Sequence, residues 1–228
     1  MSKKISRKAK QKLEITVIIT IVLLTILFWN SIFIYPIKFS VILFHEISHG
    51  IFTIITGGKI IEMKIYSNLS GSCESIGGVP FLIASAGYLG SLVFGWFLFT
   101  SAYNLKNSLW TNTIIAILLS LFAISFISSS IGIIASFVLA IILFISPRYL
   151  PKAAHSYIMK ILGLVSCLYV LVDIKADLLT LEYRRTDAEI LHNITGIPAF
   201  VWAIVWLAIS AAVIYLMIKT SYRKGLTY

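Results

Sequence analysis

Long apolar runs separated by short polar breaks fill the chain from Leu13 onward. A helix rises about 1.5 Å per residue, so crossing about 30 Å of hydrocarbon takes about 20 mostly apolar residues. Leu13–Tyr35, Ile37–Thr56 and Val79–Ala102 each meet that length. Leu109–Ile145 is too long for one crossing, and Ser128-Ser129-Ser130 predicts a break into two short spans. Pro147 and Pro151 then bracket a turn, Tyr157 to Leu179 makes the next run, and Ile197–Ile218 the last. One stretch departs from this helical pattern. Ile61, Met63 and Ile65 alternate with Glu62, Lys64 and Tyr66, a period of two, and the turn-forming Ser67–Gly71 follows. A second short strand ending near Gly77-Gly78 completes a β-hairpin at about residues 59–76.

Composition agrees with this pattern. Of the 228 residues 59% are hydrophobic and 12% charged, about half the charge of a soluble globular domain. The net charge of +10 would suit a nucleic-acid binder, but Lys3, Lys4, Arg7, Lys8, Lys10 and Lys12 stand directly before the first apolar run. That placement marks a cytoplasmic tail ahead of a membrane segment and excludes a phosphate-tracking groove. No small-residue cleavage site follows, so a removable signal peptide is not expected. Cys73 and Cys167 are too few for a disulfide framework, and neither has metal-ligand spacing to another cysteine. The reading is an all-α polytopic membrane protein in contact with lipid and not with nucleic acid. Residues 1–12 form its basic tail, 13–218 one transmembrane domain and 219–228 a polar tail. Seven crossings would put Lys219, Arg223 and Lys224 opposite the basic tail. Six bring them to the same side, which the positive-inside tendency favours. The sequence therefore predicts six spans, with one segment beside Ser128 re-entrant, in a prokaryotic plasma membrane.

Chemistry enters with His45-Glu46-Ile47-Ser48-His49 inside the second run. At 100° per residue the two histidines lie about 40° apart on a helix, with Glu46 within about 100° of both. Two neutral imidazoles one turn apart can hold zinc, and a carboxylate between them can act as general base toward water. With four His and six Glu in the chain, chance would produce about 0.002 such matches. Three ionisable groups at membrane depth also cost about 3 kcal/mol each on insertion scales. A packing role does not account for that expense.

A catalytic zinc site takes a third protein ligand and keeps one position open. The chain has only three aspartates. Asp173 is the acid most closely joined to an apolar run, Leu162 to Ile174, and is the expected third ligand; Asp177, one turn on, is its substitute or supporting partner. Both belong to a charged loop region of about 174–196 and its border. Asp187 falls in Thr186-Asp187-Ala188-Glu189, which has the form of a capping box, so it reads as structural. His155 and His192 read as ordinary surface histidines. Gly87, Ser91 and Gly95 recur every four residues, a spacing that lets helices approach closely and reads here as internal packing.

These motifs resemble the site-2 protease family of intramembrane zinc metallopeptidases, in its small branch without a PDZ domain. The match begins at Leu43–Gly50 and continues through Thr56-Gly57-Gly58-Lys59-Ile60, Ser70-Gly71 and Ser85–Gly90. It reappears at Tyr169–Asp177, Thr186-Asp187-Ala188 and Thr195–Pro198, with Trp202 and Trp206 beyond. The resemblance implies a zinc-dependent endopeptidase cutting in or near transmembrane segments of membrane proteins or membrane-anchored peptides. His45 and His49 would hold zinc and Glu46 would activate water. Relatives often carry the ligand aspartate before a glycine, and no Asp-Gly occurs here. They also often carry Gly-Pro-x-x-Asn where this chain has Gly87-Tyr88-Leu89-Gly90-Ser91, so the side-chain amide of that motif, a candidate oxyanion donor, is missing. Two other readings stand beside the protease. One is a non-proteolytic membrane protein with a metal site. The other is a small transporter using an intramembrane His/Glu/Asp path, although no internal repeat is visible.

Overall fold

The computed structural model describes residues 6–179 and 186–225, apart from the side chains of 173 and 175–179. Helix α1 (Arg7–Leu27) precedes α2 (Tyr35–Ile55), and the hairpin β1 (Lys59–Ile65) and β2 (Gly71–Ile76) follows. Then come α3 (Pro80–Ser101), α4 (Leu105–Ser125), α5 (Ser130–Tyr149), α6 (Lys152–Leu179), the short α7 (Asp187–Thr195) and α8 (Ala199–Lys224). Local chemistry sets several of these limits. Proline opens α3, where its missing N–H costs nothing, and the Asn104 side chain accepts hydrogen bonds from Lys106 N and Asn107 N to cap α4. Gly77 and Gly78, at φ of 73° and 75°, make the turn from β2 into α3.

Among the described residues, six helices are long and apolar enough to cross a membrane: α2, α3, α4, α5, α6 and α8. The six-span expectation holds, with a different segment left out. Both helices beside Ser128 qualify, whereas α1 does not, because Arg7, Lys8, Lys10, Lys12 and Glu14 occupy its first third. The expected span Leu13–Tyr35 is corrected accordingly. The helix stops at Leu27, the chain turns, and the Lys38 ammonium sits 4.4 Å from the centre of the Trp29 ring. Glycine approaches order the bundle. A Cβ on Gly90 would collide with Ser48, and one on Gly95 would lie 2.8 Å from the Gly163 carbonyl oxygen, so α2 and α6 both press against α3. The small-residue stripe of α3 is thus internal packing, as its spacing predicts.

Both described ends of the chain lie together. A Cβ on Gly225, just past α8, would come within 3.5 Å of the Lys10 and Gln11 backbone on α1. Tyr103, just past α3, joins them by bonding Glu14 at 2.5 Å and meeting Ser221 at 2.8 Å. Arg7, Lys8, Lys10 and Lys12 therefore share one end of the bundle with Lys219, Arg223 and Lys224.

The hairpin is antiparallel, with Met63 opposite Cys73 and Ile65 opposite Gly71. It packs into the bundle: Met63 and Ile65 are fully buried. The break between α4 and α5 explains how irregular backbone is tolerated there. Met63 N donates to Phe126 O (2.9 Å), Ser128 N to Met63 O (3.0 Å) and Ile65 N to Ser129 Oγ (2.9 Å). The broken helix and the outer edge of β1 thereby satisfy each other's polar groups. Two cores result. Leu43, Met63, Leu119 and Leu143 join α2, the hairpin, α4 and α5, while Ile18, Leu92, Leu164 and Met217 join α1, α3, α6 and α8. Helix α2 is the most enclosed span, 72% buried over its most apolar window against 22% for α8. The motif helix is interior.

Candidate metal centre

His45, Glu46 and His49 sit where α2 is covered by α3 on one side and β2 on the other. The glycines facing them are part of the construction. A Cβ on Gly87 of α3 would collide with Nε2 of both histidines, and one on Gly71 of β2 would collide with the Glu46 carboxylate. Hydrogen at these two positions leaves room for the imidazoles and lets the strand backbone close over the glutamate. His49 Nδ1 lies 2.7 Å from the Ile83 carbonyl oxygen. That carbonyl only accepts, so Nδ1 carries the proton and Nε2 presents a lone pair to the site.

The third group is Asp187. Its Oδ2 lies 3.2 Å from His45 Nε2 and 3.4 Å from His49 Nε2. The three ligand atoms all fall within 4.8 Å of one another. Asp187 stands where the sequence reading expected Asp173. The side chains of Asp173 and Asp177 lie outside the described residues. The predicted cap at Thr186 is present: its hydroxyl accepts from Glu189 N at 3.3 Å, which makes it the N-cap of α7. Capping is therefore done by Thr186 alone, and Asp187, one position into the helix, turns to the histidines. The tetrapeptide that marked Asp187 as structural was also the device that aims it.

An open cavity of about 950 Å³ adjoins these groups, lined by the motif residues, by Ser70–Ser75 of the hairpin region and by Tyr88 and Tyr169. No Lys or Arg is among its described lining residues, while Glu46, Glu74 and Asp187 are. Asp187 Oδ2 is buried, and neither imidazole contact gives it a hydrogen bond of good geometry. Converging lone pairs, a buried unsatisfied carboxylate oxygen and a glycine where a side chain would intrude fit a divalent cation. Two nitrogens and one oxygen are a donor set zinc accepts.

The other histidines divide. His192 is exposed, with Nδ1 3.0 Å from Ile197 O just beyond α7, as a surface histidine should be. His155 is not a surface residue. It is 3% exposed and meets Ser108 Oγ at 2.5 Å and Ser146 Oγ at 3.2 Å. The turn at Pro151 is short enough that α6 begins at once and carries His155 inward.

Fold and site together define a six-span helical membrane protein with a His/His/Asp donor set beside a buried glutamate. The family model of Peptidase M50B-like proteins matches residues 18–217. The chain therefore belongs to that family, the site-2 proteases, and is a membrane peptidase by family. Neither the curated proteins nor the solved structures hold a match that adds to this.

Proposed function

We propose that the chain is an intramembrane zinc endopeptidase that cuts membrane-spanning or membrane-anchored segments. The observation that carries this reading is the convergence of His45, His49 and Asp187 within 4.8 Å, next to Glu46, on a cavity that reaches the hairpin. Zinc bound there would act as a Lewis acid toward the scissile carbonyl and make water more acidic. Glu46 takes the proton from the attacking water and returns it to the leaving amine. Its burial (6% exposed) and the close backbone of Gly71 keep the carboxylate in one place for both transfers.

A helical substrate protects its peptide bonds with its own hydrogen bonds and must unwind before attack. The edge of β1 is occupied by the α4–α5 break, so the free edge is that of β2, and the β2 residues Gly71–Ser75 line the cavity. An unwound segment adds to β2 as a further strand, which brings its backbone past Glu46. The basic end of the bundle faces the cytoplasm, as the concentration of Lys and Arg there favours.

The test is metal content and cleavage on the purified full chain in detergent. Wild type should hold about one zinc per chain, and His49→Ala and Asp187→Ala should lose it while Asp173→Ala keeps it. Glu46→Gln should keep zinc and lose all cleavage of co-reconstituted single-span reporter proteins. Cleavage retained by Glu46→Gln would overturn the mechanism.

A further inference from the structure

His45 and His49 are the same residue type, one turn apart on one helix, yet they are held in different ways. His49 is fixed through its far nitrogen by the Ile83 carbonyl at 2.7 Å. Among the described residues, His45 Nδ1 makes no such bond. A histidine that ligates a metal ordinarily has its second nitrogen tied down, because that bond sets the tautomer and the ring plane. Rings hold His45 instead. Its imidazole stands edge-on to Tyr88, with centroids 5.1 Å apart and planes at 84°, and edge-on to His49 at 4.7 Å and 75°. Tyr88 is itself backed by Trp206 of α8, 4.6 Å away.

We propose that Tyr88 and Trp206 form an aromatic clamp that positions the His45 imidazole for metal binding, so that α8 is part of the metal centre although it supplies no ligand. This rests on the metallopeptidase reading above. The placement of the two rings supports it. Tryptophan and tyrosine in membrane helices usually sit at the lipid–water interface, and Trp110 is 67% exposed. Trp206 is 2% exposed and Tyr88 3%. Neither serves as an interface anchor. Tyr88 directly follows Gly87, whose missing side chain admits both imidazoles, so the backbone that makes room for the ligands also presents the ring that orients one of them. Edge-to-face contact resists rotation of the imidazole about its Cβ–Cγ bond, because any other plane forfeits the favourable quadrupole arrangement. Both positions act through His45 and are positioning residues.

The inference is tested by metal affinity, not by turnover. Zinc affinity is measured by chelator competition on the full chain in detergent, and the visible spectrum of the cobalt(II)-loaded protein reports ligand geometry. Tyr88→Phe keeps the ring and should stay within about twofold of wild type. Tyr88→Leu and Trp206→Leu should weaken zinc binding by about tenfold to a hundredfold, the range for lost supporting partners, and shift the cobalt bands. Leu92→Ala, at a buried α3 position in the same core that is not among the residues lining the cavity, should leave affinity and spectrum unchanged. Wild-type affinity and spectrum in Tyr88→Leu would overturn the clamp alone. So would an equal loss in Leu92→Ala, since the effect would then be general loosening, or a Tyr88→Phe as weak as Tyr88→Leu, since the hydroxyl would then be responsible. A folded wild type that takes up neither metal would overturn the metal-site reading and the clamp with it.

Discussion

Among the described residues, two buried clusters of ionisable groups are built on opposite plans. Toward one end Glu14 and Lys160, both 0% exposed, form an ion pair of 2.7 Å between α1 and α6. Tyr103 donates to the same carboxylate oxygen at 2.5 Å, and the Lys160 ammonium lies 4.7 Å from the centre of the Tyr103 ring. That cluster contains its own counter-charge. His45, His49 and Asp187, with Glu46 alongside, instead converge on one point, have no Lys or Arg among the described residues of their cavity wall, and open onto about 950 Å³. Burial alone therefore does not identify a functional site. The pair carries its own counter-charge even with Glu14 Oε2 left without a hydrogen bond, whereas a convergent set of acceptors gains one only with a cation.

The largest expected effect breaks the second cluster while sparing the fold. Alanine is better than glycine in a helix interior by about 1 kcal/mol, so Gly87→Ala should not weaken α3 as a helix. Its Cβ would nevertheless occupy the space in front of both Nε2 atoms. Gly87→Ala should bind zinc at least a hundredfold more weakly, the upper range for damage beyond the ligands themselves, and retain wild-type helicity by circular dichroism. Asp187→Ala should be at least as severe. Retained zinc in either variant would mean that the three groups do not converge on a metal.

The ion-pair cluster should respond the other way. Removing one partner of a buried pair typically costs about 3–5 kcal/mol, because the other charge is left without compensation, whereas removing both can be nearly neutral. Lys160→Met or Glu14→Gln alone should lower the melting temperature in detergent markedly, and the double variant should recover most of the loss. Zinc content should not change in any of the three. A double variant as unstable as the singles would show that Tyr103 and Ser221 depend on the pair for more than charge balance.

The contrast also explains which parts of the molecule could be read from residue order. Spans, hairpin and motif histidines are set by short-range patterns: apolar run length, period-two alternation, and a four-residue ligand spacing. These survived folding except for the first span, Leu13–Tyr35, whose helix stops at Leu27, and the break at Ser128–Ser130 was visible. The errors came where a charge is compensated by a residue far along the chain. Glu14 borders the basic tail in sequence, and its partner is 146 positions away at Lys160. His155 read as surface because its serine partners lie on α4 and α5. For Asp187 a local explanation was available, the capping box, and it concealed a long-range contact with α2. A residue can sit in a capping sequence and still be free to act, because only the hydroxyl at the N-cap is needed there.

That last point yields the smallest effect and the finest distinction. If Thr186 serves only to end α7 and aim Asp187, Thr186→Ala should remove one capping bond, worth about 1 kcal/mol. The loosened first turn would then widen the range of positions open to the Asp187 carboxylate. Zinc affinity should fall by up to about fivefold, the equivalent of that whole energy, while Thr186→Ser should match wild type because serine caps as well as threonine. Calorimetric zinc titration of the three proteins separates the outcomes. An unchanged Thr186→Ala would mean that packing of Ala188 and Leu191, both buried on the inner face of α7, fixes the helix without its cap. A loss as deep as that of Asp187→Ala would instead make Thr186 a direct part of the metal site.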